Sequence, residues 1–258
     1  MRKYRYSYQT IVQYSTPVAG HQFMLRCIPY EYESQLIVEQ HMNMLTSAEM
    51  FKNRDVFGNY ITYGNMMEAH DIFVVASSGV VHCSEYKIRD NAPNPIYSVP
   101  TRVTQVSSEM LEMGAAVSKS GTPLEQAKAL AAEVNFHMRY TKGSTNTETT
   151  AVESFNLAQG VCQDYAHILI ALCRERAIFA RYVVGYVVGT GETHAWVEIF
   201  SDGVWYGIDP TYNLLIDYGY IKVAQGRDAA DCSVIRGVYI GRVTSETQVK
   251  VVVEEIPI

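Results

Sequence analysis

The sequence predicts an α+β chain. A β-sandwich-like N-terminal domain fills residues 1–100 and ends in a proline-rich linker. Residues 101–258 then form a core in which a helix packs on an antiparallel sheet, with a C-terminal strand. Three observations carry this prediction. Up to about residue 90 the apolar positions alternate or run in short β-branched blocks. The stretch "RDNAPNPIYSVP" (89–100) breaks the pattern with three prolines and two asparagines. Beyond it the apolar period lengthens to roughly 3.6 before strand patterns return, which is the element order of an α+β domain.

Taken in order, "KYRYSYQTIVQY" alternates as a half-buried strand does, and "QLIVEQHMNML" and "FGNYITYGNM" are short strand candidates. "DIFVVASSGVVHC" is a β-branched run that a Ser-Gly turn is expected to interrupt. Short strands this closely spaced suggest a small antiparallel sandwich. The linker prolines exclude regular structure from 89–100.

Past the linker, "GTPLEQAKALAAEVNFHM" carries Thr122 as N-cap, Pro123 at the first helical position and Glu125 three residues after the cap. That is a capping box, with proline placed where its missing N–H costs nothing. "TAVESFNLAQG" repeats the device with Thr150 and Glu153, and Gly160 is the expected stop. The next helix, expected from about Val161 to Arg176, has apolar residues around nearly its whole circumference and should be buried on most sides. "ARYVVGYVVG", "THAWVEIF" and "VWYGIDP" follow as three strands separated by "TGE" and "SDG" turns. The tail "TQVKVVVEEIPI" reads as an added edge strand guarded by Lys250 and the paired glutamates.

The chain has 258 residues, 48% of them hydrophobic, which suffices for a full core. A net charge of −6 leaves no basic excess for nucleic acid or an anionic membrane surface. No apolar run approaches the roughly 18 residues of a membrane span, and "MRKYRYSYQT" lacks the apolar stretch of a signal peptide. Cys27, Cys83, Cys162, Cys173 and Cys232 are odd in number and scattered. That pattern suggests reduced thiols and a cytoplasmic location, and provides no metal-ligand spacing.

One thiol has an unusual address. Cys162 stands at the first turn of the buried helix, where unpaired backbone N–H groups and the helix dipole favour a thiolate, the nucleophilic form. The same N–H groups can stabilise an oxyanion. A thiol nucleophile also needs an acid–base partner and a group to orient that partner. Strand alternation puts His194, Trp196, Glu198 and Phe200 on one face. In the next strand Trp205, Gly207 and Asp209 share a face, and Pro210 ends the strand. If the two strands form a hairpin, His194 and Asp209 meet at one sheet end.

"GVCQDYAHILIALCRERAIFARYVVGY", "HAWVEIF" and "GIDPTYN" together resemble the bacterial transglutaminase-like superfamily, whose fold is similar to that of papain. The resemblance covers roughly residues 110–245, and the stretch containing "DVFGNYITYG" is similar to the β-rich domain that often precedes this core in bacterial members. It implies a papain-like core with a Cys–His–Asp triad at Cys162, His194 and Asp209. It also implies cysteine-dependent acyl transfer at an amide bond of a protein or peptide substrate through a thioester. The extended acidic loop of the calcium-dependent animal enzymes is missing, so neither calcium nor any other cofactor is implied. Water as acceptor needs no dedicated site, which favours a peptidase or amide hydrolase over a protein-glutamine transamidase. A non-catalytic binding scaffold is the reading from another class.

Around this set, Gln163 and Gln159 are candidate oxyanion donors. Asp164 complements the helix start and is a candidate for shaping the site. Trp196 and Trp205 are candidate groove walls, although large aromatics at a domain centre more often pack. His167, Tyr165, Glu198 and Cys173 are read as structural, and Cys27, Cys83 and Cys232 have no catalytic context.

Overall fold

The structure is a computed structural model describing residues 1–45 and 48–257. The first strand, β1 (Arg2–Leu25), is the spine of an eight-stranded sheet. It is followed by β2 (Gln35–Met44), β3 (Glu49–Arg54), β4 (Tyr60–Met66) and β5 (His70–Cys83). Over its first half β1 alternates buried Tyr4, Tyr6, Tyr8, Thr10 and Val12 with outward residues, as period two requires. There it pairs with β5, and β2 lies on the far side of β5. The ladder with β5 slips between Gln13 and Val18, around Pro17, which has no N–H to give. Beyond that bend β1 pairs with β4, and β4 with β3. One strand thus serves both halves of the eight-stranded sheet, which is continuous where two packed sheets of a sandwich were expected, and bends at the irregular positions. Alternation alone shows neither the continuation past Pro17 nor β3.

The Ser-Gly turn expected inside "DIFVVASSGVVHC" does not form. β5 runs unbroken through Ser77, Ser78 and Gly79. Its neighbour β2 carries the irregularity instead, between Ile37 and Glu39. A Cβ on Gly79 would lie 2.1 Å from the Glu39 carbonyl oxygen, so this glycine permits a close backbone approach and makes no turn.

The linker also holds more order than its composition suggests. After β6 (Lys87–Arg89), Asn94 caps a 3₁₀ turn at Pro95–Ser98, with Pro95 at a position that needs no donor. Tyr97 of that turn is buried, its ring 5.6 Å from that of Trp205.

The helices are α1 (Ser108–Ala116), α2 (Pro123–His137), α3 (Ala151–Leu157) and α4 (Cys162–Glu175), with short strands β7 (Arg139–Tyr140) and β8 (Gln159–Gly160) between the last three. Both capping boxes form: Thr122 with Glu125 and Thr150 with Glu153. Helix α3 stops at Ala158 in the left-handed region (φ 51°), not at Gly160. Asp164 to Arg174 of α4 are all buried.

The second sheet has six strands: β9 (Ala180–Val187), β11 (His194–Ser201), β12 (Val204–Asp209), β13 (Leu214–Leu215), β14 (Tyr220–Gly226) and β6, in the order β13-β12-β11-β9-β14 with β6 beside β12. Between β9 and β11 lies β10 (Gly189–Gly191); β15 (Ile235–Ile240) and β16 (Ser245–Ile256) end the chain. One face of the six-stranded sheet packs on the helices through Tyr182, Val184, Ala195, Val197 and Ile199. The other meets the N-terminal sheet, where Tyr186 stacks between Tyr6 and Tyr8 at 5.7 and 5.5 Å. The molecule therefore has three layers: helices, six strands, eight strands.

The tail strand, expected as a guarded edge of the catalytic part, ladders along β1 from Ser245 to Ile256. Its other side is covered by β10 at Val251–Val253. Pairing with the long alternating β1 satisfies its backbone groups in the N-terminal sheet.

The close approach at Gly79 generates a test. Gly79→Ala should lower the unfolding free energy by about 1–3 kcal/mol in urea denaturation, because backbone must move; an unchanged midpoint would mean that β2 and β5 are not so tightly apposed.

Candidate functional site

Cys162 opens α4, with Val161 in extended conformation as its N-cap. The N–H groups of Cys162 and Gln163 lie in the first turn, where no intrahelical carbonyl is available to them. Asp164 holds this turn in place. Its Oδ2 accepts from the Val161 N–H and from Thr145 Oγ1, each at 2.7 Å. The carboxylate folds back over Gly160 so closely that a Cβ there would meet Oδ2 at 2.5 Å. Burial pushes the Asp164 carboxyl up, against these hydrogen bonds, which favour the ion. Gly160 is thus part of the seat of the first turn of α4 and not the stop of the preceding helix.

His194 opens β11 and Asp209 closes β12, strands joined by the tight Asp202–Gly203 turn into an antiparallel hairpin. His194 Nε2 meets Asp209 Oδ2 at 2.6 Å, leaving Nδ1 as the ring nitrogen free for another partner. Asp209 is fully buried and has four donors. Oδ1 accepts from the N–H groups of Thr211 (2.8 Å) and Tyr212 (3.2 Å), and Oδ2 accepts from the Tyr220 hydroxyl at 2.7 Å as well as from His194. Tyr212 stacks on the imidazole with ring centroids 5.3 Å apart, and its own ring is exposed.

Cys162 and His194 line one cavity of about 510 Å³, together with Tyr140, Lys142, Gln163, Tyr182, Val184, residues 187–193 and Tyr212. Burial disfavours a charged imidazole. The hydrogen bond from His194 to Asp209, with the influence of the neighbouring Cys162, outweighs it and raises His194 to about 10. Cys162 and His194 therefore share one cavity, and the buried Asp209 lies behind the imidazole.

The other expected site residues separate. Gln163 lines the cavity, its amide 3.4 Å from the Asn146 carbonyl oxygen. Gln159 is exposed in β8 and does not reach the cavity. Trp196 and Trp205 are fully buried and line no groove. Their indole N–H groups donate to the Tyr86 hydroxyl and to Asp90, each at 2.9 Å, so both are core residues. His167 is buried and accepts from the Ala229 N–H at 3.1 Å, away from the sulfur. Glu198, read as packing, is a buried ion: Arg181 and Lys222 pair with it and Tyr86 donates to it at 2.6 Å. Burial opposes that charge, but the two cations hold the Glu198 carboxyl below the usual range. Among the described residues no three of His, Cys, Asp and Glu come together as metal ligands.

Sequence reasoning misses Tyr220, Tyr182, Tyr140 and the Lys142–Glu192 ion pair across the cavity mouth (2.8 Å). Tyr212 stands inside the quoted "GIDPTYN", where a signal was available; the others have no local pattern.

Residues 112–210 match the transglutaminase-like superfamily and residues 4–82 match the bacterial transglutaminase-like N-terminal region. Cys162, His194 and Asp209 all fall within the first match. The chain is 27% identical to an uncharacterized protein of Mycobacterium leprae, over 98% of each chain. It is 26% identical to one of Mycobacterium tuberculosis, over 92% of this chain and 87% of that one. A crystal structure of a candidate cysteine protease from Cytophaga hutchinsonii has the same fold, with TM-score 0.84 and 24% identity over 100% of this chain and 91% of that one.

The elevated imidazole has a pH signature. Because the folded-state value of about 10 lies above the ordinary 6.5, the stability it contributes is fully present below about pH 6.5 and is lost as pH rises through about 10. Ring NMR signals of His194 should therefore titrate near the upper value. In Asp209→Asn they should move down, since burial alone disfavours the charge. Titration of the wild-type ring near 6.5 would contradict the coupling.

Proposed function

From the premise that the chain is a transglutaminase-like protein, built of the superfamily core and the bacterial N-terminal region, a family of cysteine-dependent enzymes, we propose that it catalyses acyl transfer at amide bonds as a peptidase or amide hydrolase. The observation that carries the reading is the buried His194–Asp209 contact at 2.6 Å, beside a cavity that Cys162 and His194 both line.

In this reading the Cys162 thiolate attacks the amide carbonyl carbon. A C–S bond forms and the carbonyl π electrons move to oxygen, facing the first-turn N–H groups of α4. The C–N bond then breaks, and the leaving amine takes a proton from the His194 imidazolium. A thioester remains on Cys162. Neutral His194 removes a proton from water as the water adds to the thioester carbonyl, and the thiolate leaves with the C–S electrons. Asp209 stays ionised throughout and fixes the ring so that Nδ1 faces sulfur. Tyr220 and the 211–212 amides hold Asp209 in turn. Water is the acceptor that requires no second binding site. The C. hutchinsonii neighbour's description as a candidate cysteine protease agrees with hydrolysis.

Cys162→Ala or His194→Ala should lower turnover of an unfolded casein peptide pool by at least about a thousandfold, since such a set acts as a unit. Mapped labelling of the native protein with iodoacetamide near pH 6 should favour Cys162 over the four buried thiols, and His194→Ala should remove that preference. Slow labelling without preference would support a scaffold. Incorporation of a tagged amine into casein glutamines without hydrolysis would make the enzyme a transamidase.

A further inference from the structure

We propose that the cavity takes its substrate as an extended polypeptide segment paired with the free edge of β10, so that the bound segment becomes one more strand of the N-terminal sheet. The chemistry at Cys162 rests on the acyl-transfer reading; the pairing does not.

Strand β10 is the last in its sheet. It pairs with β16 through Gly189–Val253, Thr190–Val252 and Gly191–Val251, and among the described residues no strand lies beyond it. An edge strand presents alternate N–H and C=O groups without a ladder partner, which is the template used when a peptide adds to a sheet. Here that edge faces chemistry. Residues 187–193, with His194 and Ala195, form one continuous wall of the cavity that holds Cys162, and no residue of β16 lines it.

The glycines of β10 differ in an informative way. Gly189 has φ +116°, so its backbone needs glycine. Gly191 is outside the left-handed region, and a Cβ built on it meets nothing within 4 Å. Neither conformation nor packing requires a glycine at 191. A missing side chain on an open strand edge lets another backbone come close.

Reach agrees. At about 3.3 Å per residue, a segment lying along Gly189–Gly191 arrives beside His194 within a few residues. Lys142 and Glu192, both of the cavity lining, ion-pair at 2.8 Å. Both partners of that pair are exposed, so an entering chain displaces it at little cost.

The test measures binding without turnover. In the Cys162→Ala protein, adding a fluorescein-labelled peptide pool from unfolded casein should slow hydrogen exchange at residues 189–191. Gly191→Leu in that background should weaken binding by about tenfold or more in anisotropy titrations, the scale of one or two lost backbone hydrogen bonds. Its urea midpoint should hold, because the new side chain starts in open space. Unchanged exchange at 189–191 on peptide addition, or unchanged affinity in Gly191→Leu, overturns the proposal. Failure of the acyl-transfer reading would register elsewhere, as loss of Cys162 preference in iodoacetamide labelling of the wild-type protein.

Discussion

A carboxylate fully shielded from solvent draws its hydrogen bonds from the protein, and Asp209 receives four. Those donors come from His194 at the start of β11, from the 211–212 turn and from Tyr220 at the start of β14. One ion thereby fixes the relative positions of three segments at the same end of the six-stranded sheet. The imidazole donates to this carboxylate on one side and has Cys162 in its surroundings, and together they raise it to about 10 against the effect of burial. The rest of the site depends on that arrangement. Each donor removed leaves this buried carboxylate one hydrogen bond short, a costlier outcome than losing an exposed contact.

The N-terminal sheet is part of the same construction. Tyr186 of β9 stacks between Tyr6 and Tyr8, and its hydroxyl donates to the Cys27 carbonyl at 2.8 Å. Gln35 exchanges hydrogen bonds with the Lys222 backbone. Between the sheets lies the Glu198 cluster, one anion facing Arg181 and Lys222. Burial and the nearby guanidinium both push the Lys222 ammonium down, while Glu198 supports it. Such a cluster is costly to bury and costlier to break, so it specifies how β9, β11 and β14 align. Through β16 the sheet then extends to β10, so that a cavity wall is the margin of the N-terminal layer.

Local chemistry made much of this legible. The Thr122–Glu125 and Thr150–Glu153 boxes announce α2 and α3 because a cap is a contact within four residues. Asp202–Gly203 announces the β11–β12 hairpin for the same reason, and alternation within that hairpin places His194 and Asp209 at one end. What stayed hidden depends on partners distant in sequence. Gly79 reads as a turn until the Glu39 carbonyl is seen beside it, and Gly160 reads as a helix stop until Asp164 folds over it. Trp196 and Trp205 look like groove walls because nothing local shows that Tyr86 and Asp90 already take their N–H groups. Tyr220 lies eleven residues past Asp209 across a separate strand, and no spacing rule connects a phenol to a carboxylate at that distance. The tail strand looks like an edge because its two neighbours, β1 and β10, come from the far end and the middle of the chain.

The central claim is that Cys162 carries the acyl group during turnover. Acid quenching of the wild-type protein within milliseconds of mixing with unfolded casein peptides, followed by peptide mapping in a mass spectrometer, reads this directly. A hydroxylamine-sensitive acyl adduct confined to Cys162 is the expected result. Product formation with no adduct there, or with adducts spread over several thiols, would contradict the account.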